Sequence, residues 1–149
     1  MDVYTTSNKI ENVAFKTFSK VEANKVLAST ENAKERQKNA QILCNYLCKK
    51  FKMPQCSVVV TERTQPHSTN MRGSLRSKTL GNYRPLGAII TIFNKTAVKR
   101  QTVSIKTFFD TLLHEFCHHY DYQYLKFGDS LHTAGFYKRI SDLKNKLTN

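Results

Sequence analysis

The order of apolar and polar positions predicts helices in the first third of the chain, strands in the middle and helices again at the end. Ile42, Leu43, Tyr46, Leu47 and Phe51 recur at three- and four-residue intervals, the spacing of a helix with one buried stripe. Asn32-Ala33-Lys34-Glu35 has the form of a capping box ahead of that helix, and Met53-Pro54 ends it. A second box, Ser19-Lys20-Val21-Glu22, predicts a shorter helix. Cys56–Thr61 and Leu86–Phe93 are rich in β-branched residues and read as strands. Thr64–Pro85 lies between them, polar and basic, with Pro66, Gly73, Gly81-Asn82 and Pro85. It reads mostly as loop, with room for a short hairpin. Asn94–Thr102 is a basic connection.

A long helix is predicted from about Ser104 to about Lys126, stopped by Gly128, with Ile105, Phe109, Leu112, Phe116 and Tyr120 as its stripe. A final helix from about Thr133 to about Leu147 carries Phe136, Ile140, Leu143 and Leu147. Residues 1–18 have little period and form a segment free to be flexible, although Val13, Phe15 and Phe18 could dock it. One domain over residues 19–149 follows, of α+β class.

The long helix contains His114-Glu115-Phe116-Cys117-His118, an H-E-x-x-H motif. Histidines four apart lie one turn apart on one helical face, so both imidazoles can reach a single ion. They fall off the apolar stripe, with Asp110 and Asp121, toward a cleft. A catalytic zinc takes three protein ligands and keeps a position for water. The third ligand must come from outside this turn, and the candidates are Asp121, Asp129 and His132. His132 is favoured, because a reversal at 126–130 would return it over the helix, and Asp129 is the fallback.

Glu115 stands about 100° round the helix from His114 and beside the ion. There it would serve as general base, taking a proton from the activated water and passing it to the leaving amine. Tyr120, Tyr122, Tyr124 and Tyr137 are candidate donors to the developing oxyanion, and the pattern does not choose among them. Asp121 could orient a ligand imidazole as an outer acceptor, or face solvent. His119 is rotated off the ligand face and reads as a packing or surface residue, Cys117 as packing, and His67 as surface.

Composition narrows the setting. A chain of 149 residues can bury a core without staples. No run of 18 apolar residues exists, so no membrane span is expected. Met1–Asn12 lacks a hydrophobic signal core, which points to an intracellular, cytoplasmic place. Cys44, Cys48, Cys56 and Cys117 contain no C-x-x-C pair, and Cys44 and Cys48 read as small buried hydrophobes on adjacent helix turns. The net charge of +13 is uneven: residues 51–100 carry nine Lys/Arg against one acid. Such a segment, with Arg72, Arg76, Lys78 and Arg84 as candidates, suits contact with DNA phosphates through residues 63–100.

The H-E-x-x-H run, followed by His132-Thr133-Ala134-Gly135-Phe136, resembles the SprT-like family of zinc metallopeptidases. That resemblance implies a zincin-like fold, with a small sheet packed against the active-site helix and helices flanking it at both ends. It implies one zinc ion held by His114, His118 and His132, with Glu115 as general base and a protein or peptide substrate. A monomer is expected. No cysteine follows Cys117, so the zinc ribbon of better-known members is not expected. The competing expectation is a non-catalytic zinc protein that binds nucleic acid or regulates a single partner.

Overall fold

In the computed structural model, residues 2–69 and 75–149 are described, with the backbone alone for 67–69 and 75–78. The described elements, in chain order, are α1 (Val3–Lys9), α2 (Val21–Leu27), α3 (Ala33–Phe51), β1 (Ser57–Thr64), β2 (His67–Thr69), β3 (Leu75–Lys78), β4 (Gly81–Arg84), β5 (Ile89–Lys95), α4 (Ile105–Gln123) and α5 (Ala134–Thr148). The class is α+β. A three-stranded sheet runs in the order β1-β5-β4, with β1 parallel and β4 antiparallel to β5, and β2 and β3 pair as a separate hairpin.

The helices begin where side chains satisfy the first amides. Asn32 accepts from the Glu35 amide, Ser104 from that of Thr107, and Thr133 from that of Phe136. The predicted box at Ser19 closes differently. Its hydroxyl donates to the Glu22 carboxylate, while Lys20 is the residue that flanks α2. Helix α4 ends at Gln123, a turn earlier than Gly128 would place it, and Lys126 then takes left-handed backbone at φ 60°.

The middle of the chain holds more strand than its polarity suggests. Gly81–Arg84, read as loop, is the outer strand β4, and the hairpin β2–β3 precedes it. Strand β5 starts at Ile89, three residues later than expected, because Gly87 and Ala88 both take positive φ in a turn. The exposed side of β1 does not leave its amides open. Gln41 and Gln37 of α3 accept from the amides of Val58 and Val60 at 2.8 Å, which covers that sheet edge.

Ile90 and Ile92 of β5, Leu43 and Leu47 of α3, and Phe108, Phe109, Leu112 and Phe116 of α4 form the centre of the core. Each is essentially removed from water, which is worth about 1.5–3 kcal/mol for a side chain of this size. Gly81 brings β4 onto α4. A Cβ there would stand 2.7 Å from the Thr91 carbonyl oxygen and 2.9 Å from a Thr111 methyl. The sheet edge thus lies directly against the helix that carries the H-E-x-x-H motif.

Residues 2–18 are docked over α5. Asp2 caps α1 by accepting from the Thr5 amide. Gly135 allows the close approach of α1, since a Cβ would meet the Ser7 carbonyl oxygen at 2.2 Å. Arg139 donates to the carbonyls of Ser7 and Ile10, both at 2.7 Å. Val13 and Phe18 are buried, and Phe15 is half exposed while stacking on Phe51. No helix among the described residues is long and apolar enough to cross a membrane.

Candidate functional site

Helix α4 presents His114 and His118 from successive turns, and the segment ahead of α5 presents His132. Thr133 caps α5, so His132 is fixed immediately before the first turn. One ligand nitrogen from each of the three lies within 4.8 Å of the others, and the Nε2 atoms of His118 and His132 are 3.1 Å apart. Tetrahedral zinc with bonds of about 2.0–2.1 Å would place its nitrogens about 3.4 Å apart, so the trio is close to a binding geometry. Burial holds His114 down at a pKa of about 4 and His118 at about 3, with neighbouring imidazoles adding to the effect. Both are neutral at pH 7 and offer lone pairs.

The proton on His118 is placed by a relay. The Ser130 hydroxyl donates to Asp121 Oδ2 at 2.8 Å and lies 2.7 Å from His118 Nδ1. Its own proton being engaged, the hydroxyl accepts from Nδ1–H, which leaves Nε2 unprotonated and turned toward His132. At 3.1 Å from that lone pair, His132 Nε2 can either donate a proton to it or share a cation with it. The donor set therefore fits a metal ion.

Asp121 stands neither in solvent nor directly on an imidazole. It is wholly buried, acts on His118 through Ser130, and pairs with the equally buried Arg139 at 3.0 Å. Burial pushes its carboxyl up, while Arg139 and Ser130 oppose that rise. Asp129, the fallback ligand, lies outside the trio. It is exposed and accepts from the Tyr122 hydroxyl and the Ser130 amide.

Glu115 is 5% exposed, and burial alone pushes its carboxyl up to about 7. Two clefts meet at Gly81, His114 and Glu115. One of about 530 Å³ extends past Thr107 and Thr111, and the other of about 340 Å³ extends past Tyr83, Tyr122 and His132. Space for a chain-like ligand thus exists on either side of the carboxylate.

The four tyrosines separate by position. Tyr120 is buried, its hydroxyl accepting from the Ala14 amide, and Tyr124 stacks on it away from the trio. Tyr122 lines the smaller cleft, but its hydroxyl is committed to Asp129. Tyr137, about half exposed, has its ring centroid 6.1 Å from His114 and 5.9 Å from His132.

Two contributors escape sequence reasoning. Ser130 supplies the relay, and the only sign of it is a hydroxyl two residues before His132. Phe136, read as a core position and as the aromatic residue of the second motif but given no part in the site, is its floor. Its ring centroid stacks 4.6 Å from His118 and lies 5.2 and 5.4 Å from His114 and His132. His119, in contrast, packs fully buried on the other side of α4, as its rotation implies.

Among the basic candidates, Arg84 is exposed at the end of β4, with its Nε donating to the Leu86 carbonyl. Arg72 lies outside the described residues, and Arg76 and Lys78 are described only as backbone of β3, as His67 is of β2. No family model matches the chain, and neither a curated protein nor a solved structure is significantly similar to it.

Proposed function

We propose that the protein is a zinc-dependent peptidase, with His114, His118 and His132 as ligands and Glu115 as general base. The observation that carries this reading is the convergence of three imidazole nitrogens within 4.8 Å beside a buried carboxyl. A zinc ion held there supplies Lewis acidity, which makes water acidic near neutral pH and polarises a carbonyl.

The chain's own residues account for the remaining needs. Glu115, with a pKa of about 7, can take a proton from water and return it to a leaving amine. The two clefts can hold substrate on both sides of that group. Tyr137 is the tyrosine whose hydroxyl is open to a substrate oxygen, and it suits stabilisation of developing negative charge. The SprT-like assignment belongs to this proposal and rests on the two sequence motifs. So does DNA association through the basic segment, where Arg63, Arg84, Lys99 and Arg100 are exposed.

The test is cleavage of an unfolded protein by the purified, zinc-loaded chain. Glu115→Gln should abolish cleavage while the zinc content stays. Undiminished cleavage by that variant refutes the proposal. His132→Ala should lose the trio's zinc, and retention would remove His132 from the ligand set.

A further inference from the structure

A second convergence of metal-ligating side chains lies inside the fold, on the opposite side of α4 from the trio. Cys48 comes from the last turns of α3, Cys56 from the residue ahead of β1, and His119 from α4. Their ligand atoms all lie within 4.8 Å of one another, and the three residues are 0%, 3% and 0% exposed. Cys44, also buried, lies one turn before Cys48 on α3. Two thiols and an imidazole from three separate segments thus meet in a core otherwise filled largely by aliphatic and aromatic groups.

We propose that Cys48, Cys56 and His119 form a buried site for a thiophilic divalent cation of the zinc class, which an inward turn of the neighbouring Cys44 side chain would close. Soft thiolates with one imidazole select such an ion, and three cysteines with one histidine make a complete tetrahedral set with no position left for water. Zinc–sulfur bonds of about 2.3 Å place tetrahedral sulfurs about 3.8 Å apart, so drawing Cys48, Cys56 and His119 together from a spacing within 4.8 Å needs a contraction of about an ångström at most.

The histidine is prepared for this role. Its Nε2 lies 2.8 Å from the Pro54 carbonyl oxygen, which can only accept, so the proton sits on Nε2 and Nδ1 carries the lone pair. A backbone carbonyl on the far nitrogen is the usual support of a metal-bound imidazole. Nδ1 now accepts from the Tyr83 hydroxyl at 2.8 Å. Binding through Nδ1 would require that hydroxyl, on β4, to give up this bond. The bound ion would tie α3, the approach to β1 and α4 together, and its role is structural. The inference does not depend on the peptidase reading, because it shares no ligand with the trio.

The site is buried, so loading accompanies folding. The full chain should be unfolded and refolded under reducing conditions with cobalt(II), then washed with a chelator. The retained cobalt should show an intense near-ultraviolet sulfur-to-cobalt charge-transfer band. Imidazoles do not produce that band, so it reads thiol ligation and not the trio. Cys56→Ser and Cys48→Ala should each lose the band, whereas Cys117→Ser, altering a buried thiol outside the cluster, should keep it. His114→Ala combined with His132→Ala should also keep it. Far-ultraviolet circular dichroism checks that each variant is folded. Absence of the band in the folded wild-type protein overturns the proposal, as does its persistence in folded Cys56→Ser.

Discussion

Glu115→Gln is expected to make the metal-free protein more stable at pH 8 while leaving it unchanged near pH 4. The carboxyl is 5% exposed, and burial raises its pKa from 4.5 to about 7. The folded chain therefore holds this proton to a higher pH than the unfolded chain does. Stability is lost as the pH rises from about 4.5 to about 7, and the full penalty applies above that window. At about 1.4 kcal/mol for each pH unit between the two pKa values, the ionised carboxylate costs the fold about 3 kcal/mol. Glutamine keeps the shape and carries no charge, so it removes most of that cost. The assay is urea unfolding of both proteins in chelator at pH 4 and pH 8. The difference between them should grow from near zero to about 2–3 kcal/mol. A pH-independent difference, or a less stable variant at pH 8, would refute the claim that Glu115 is held in an environment hostile to its charge.

Ser130→Ala takes the acceptor from His118 Nδ1–H and should weaken zinc binding at the trio about 10–100-fold, read by competition with a chromophoric chelator. Unchanged affinity would separate the relay from the metal. Asp121→Asn leaves the Arg139 charge buried without its counter-ion and should cost about 3–5 kcal/mol in denaturant unfolding at pH 7; a loss under about 1 kcal/mol would mean that the carbonyls of Ser7 and Ile10 suffice for the guanidinium. Arg84→Glu with Arg100→Glu should weaken DNA binding and flatten its logarithmic salt dependence by about 1 per lost phosphate contact. Titration at several salt concentrations checks this, and an unaltered slope would place any DNA elsewhere.

The features legible in the sequence are those set by neighbours along the chain. Helices α3, α4 and α5 each combine a side-chain cap with an apolar stripe, and both signals are local. Helix α1 has neither a stripe nor a long run. It is held by Gly135 and Arg139, more than a hundred residues away, so no window of sequence reveals it. Strand β4 is polar because one side borders a cleft, and polarity made it read as loop. The trio followed from helical spacing plus a chain reversal. The thiol cluster did not, because Cys56 and His119 meet only after the sheet has formed and packed on α4.

The Ser7 carbonyl, Arg139, Asp121, Ser130 and His118 are joined by consecutive hydrogen bonds. Trimming through Ile10 would strip the guanidinium of two backbone acceptors and leave it to draw harder on the aspartate. That aspartate is the same group that holds Ser130, so the change would be felt one bond away from the His118 ring. A shortened expression clone would thus be, in chemical effect, a substitution beside the histidines.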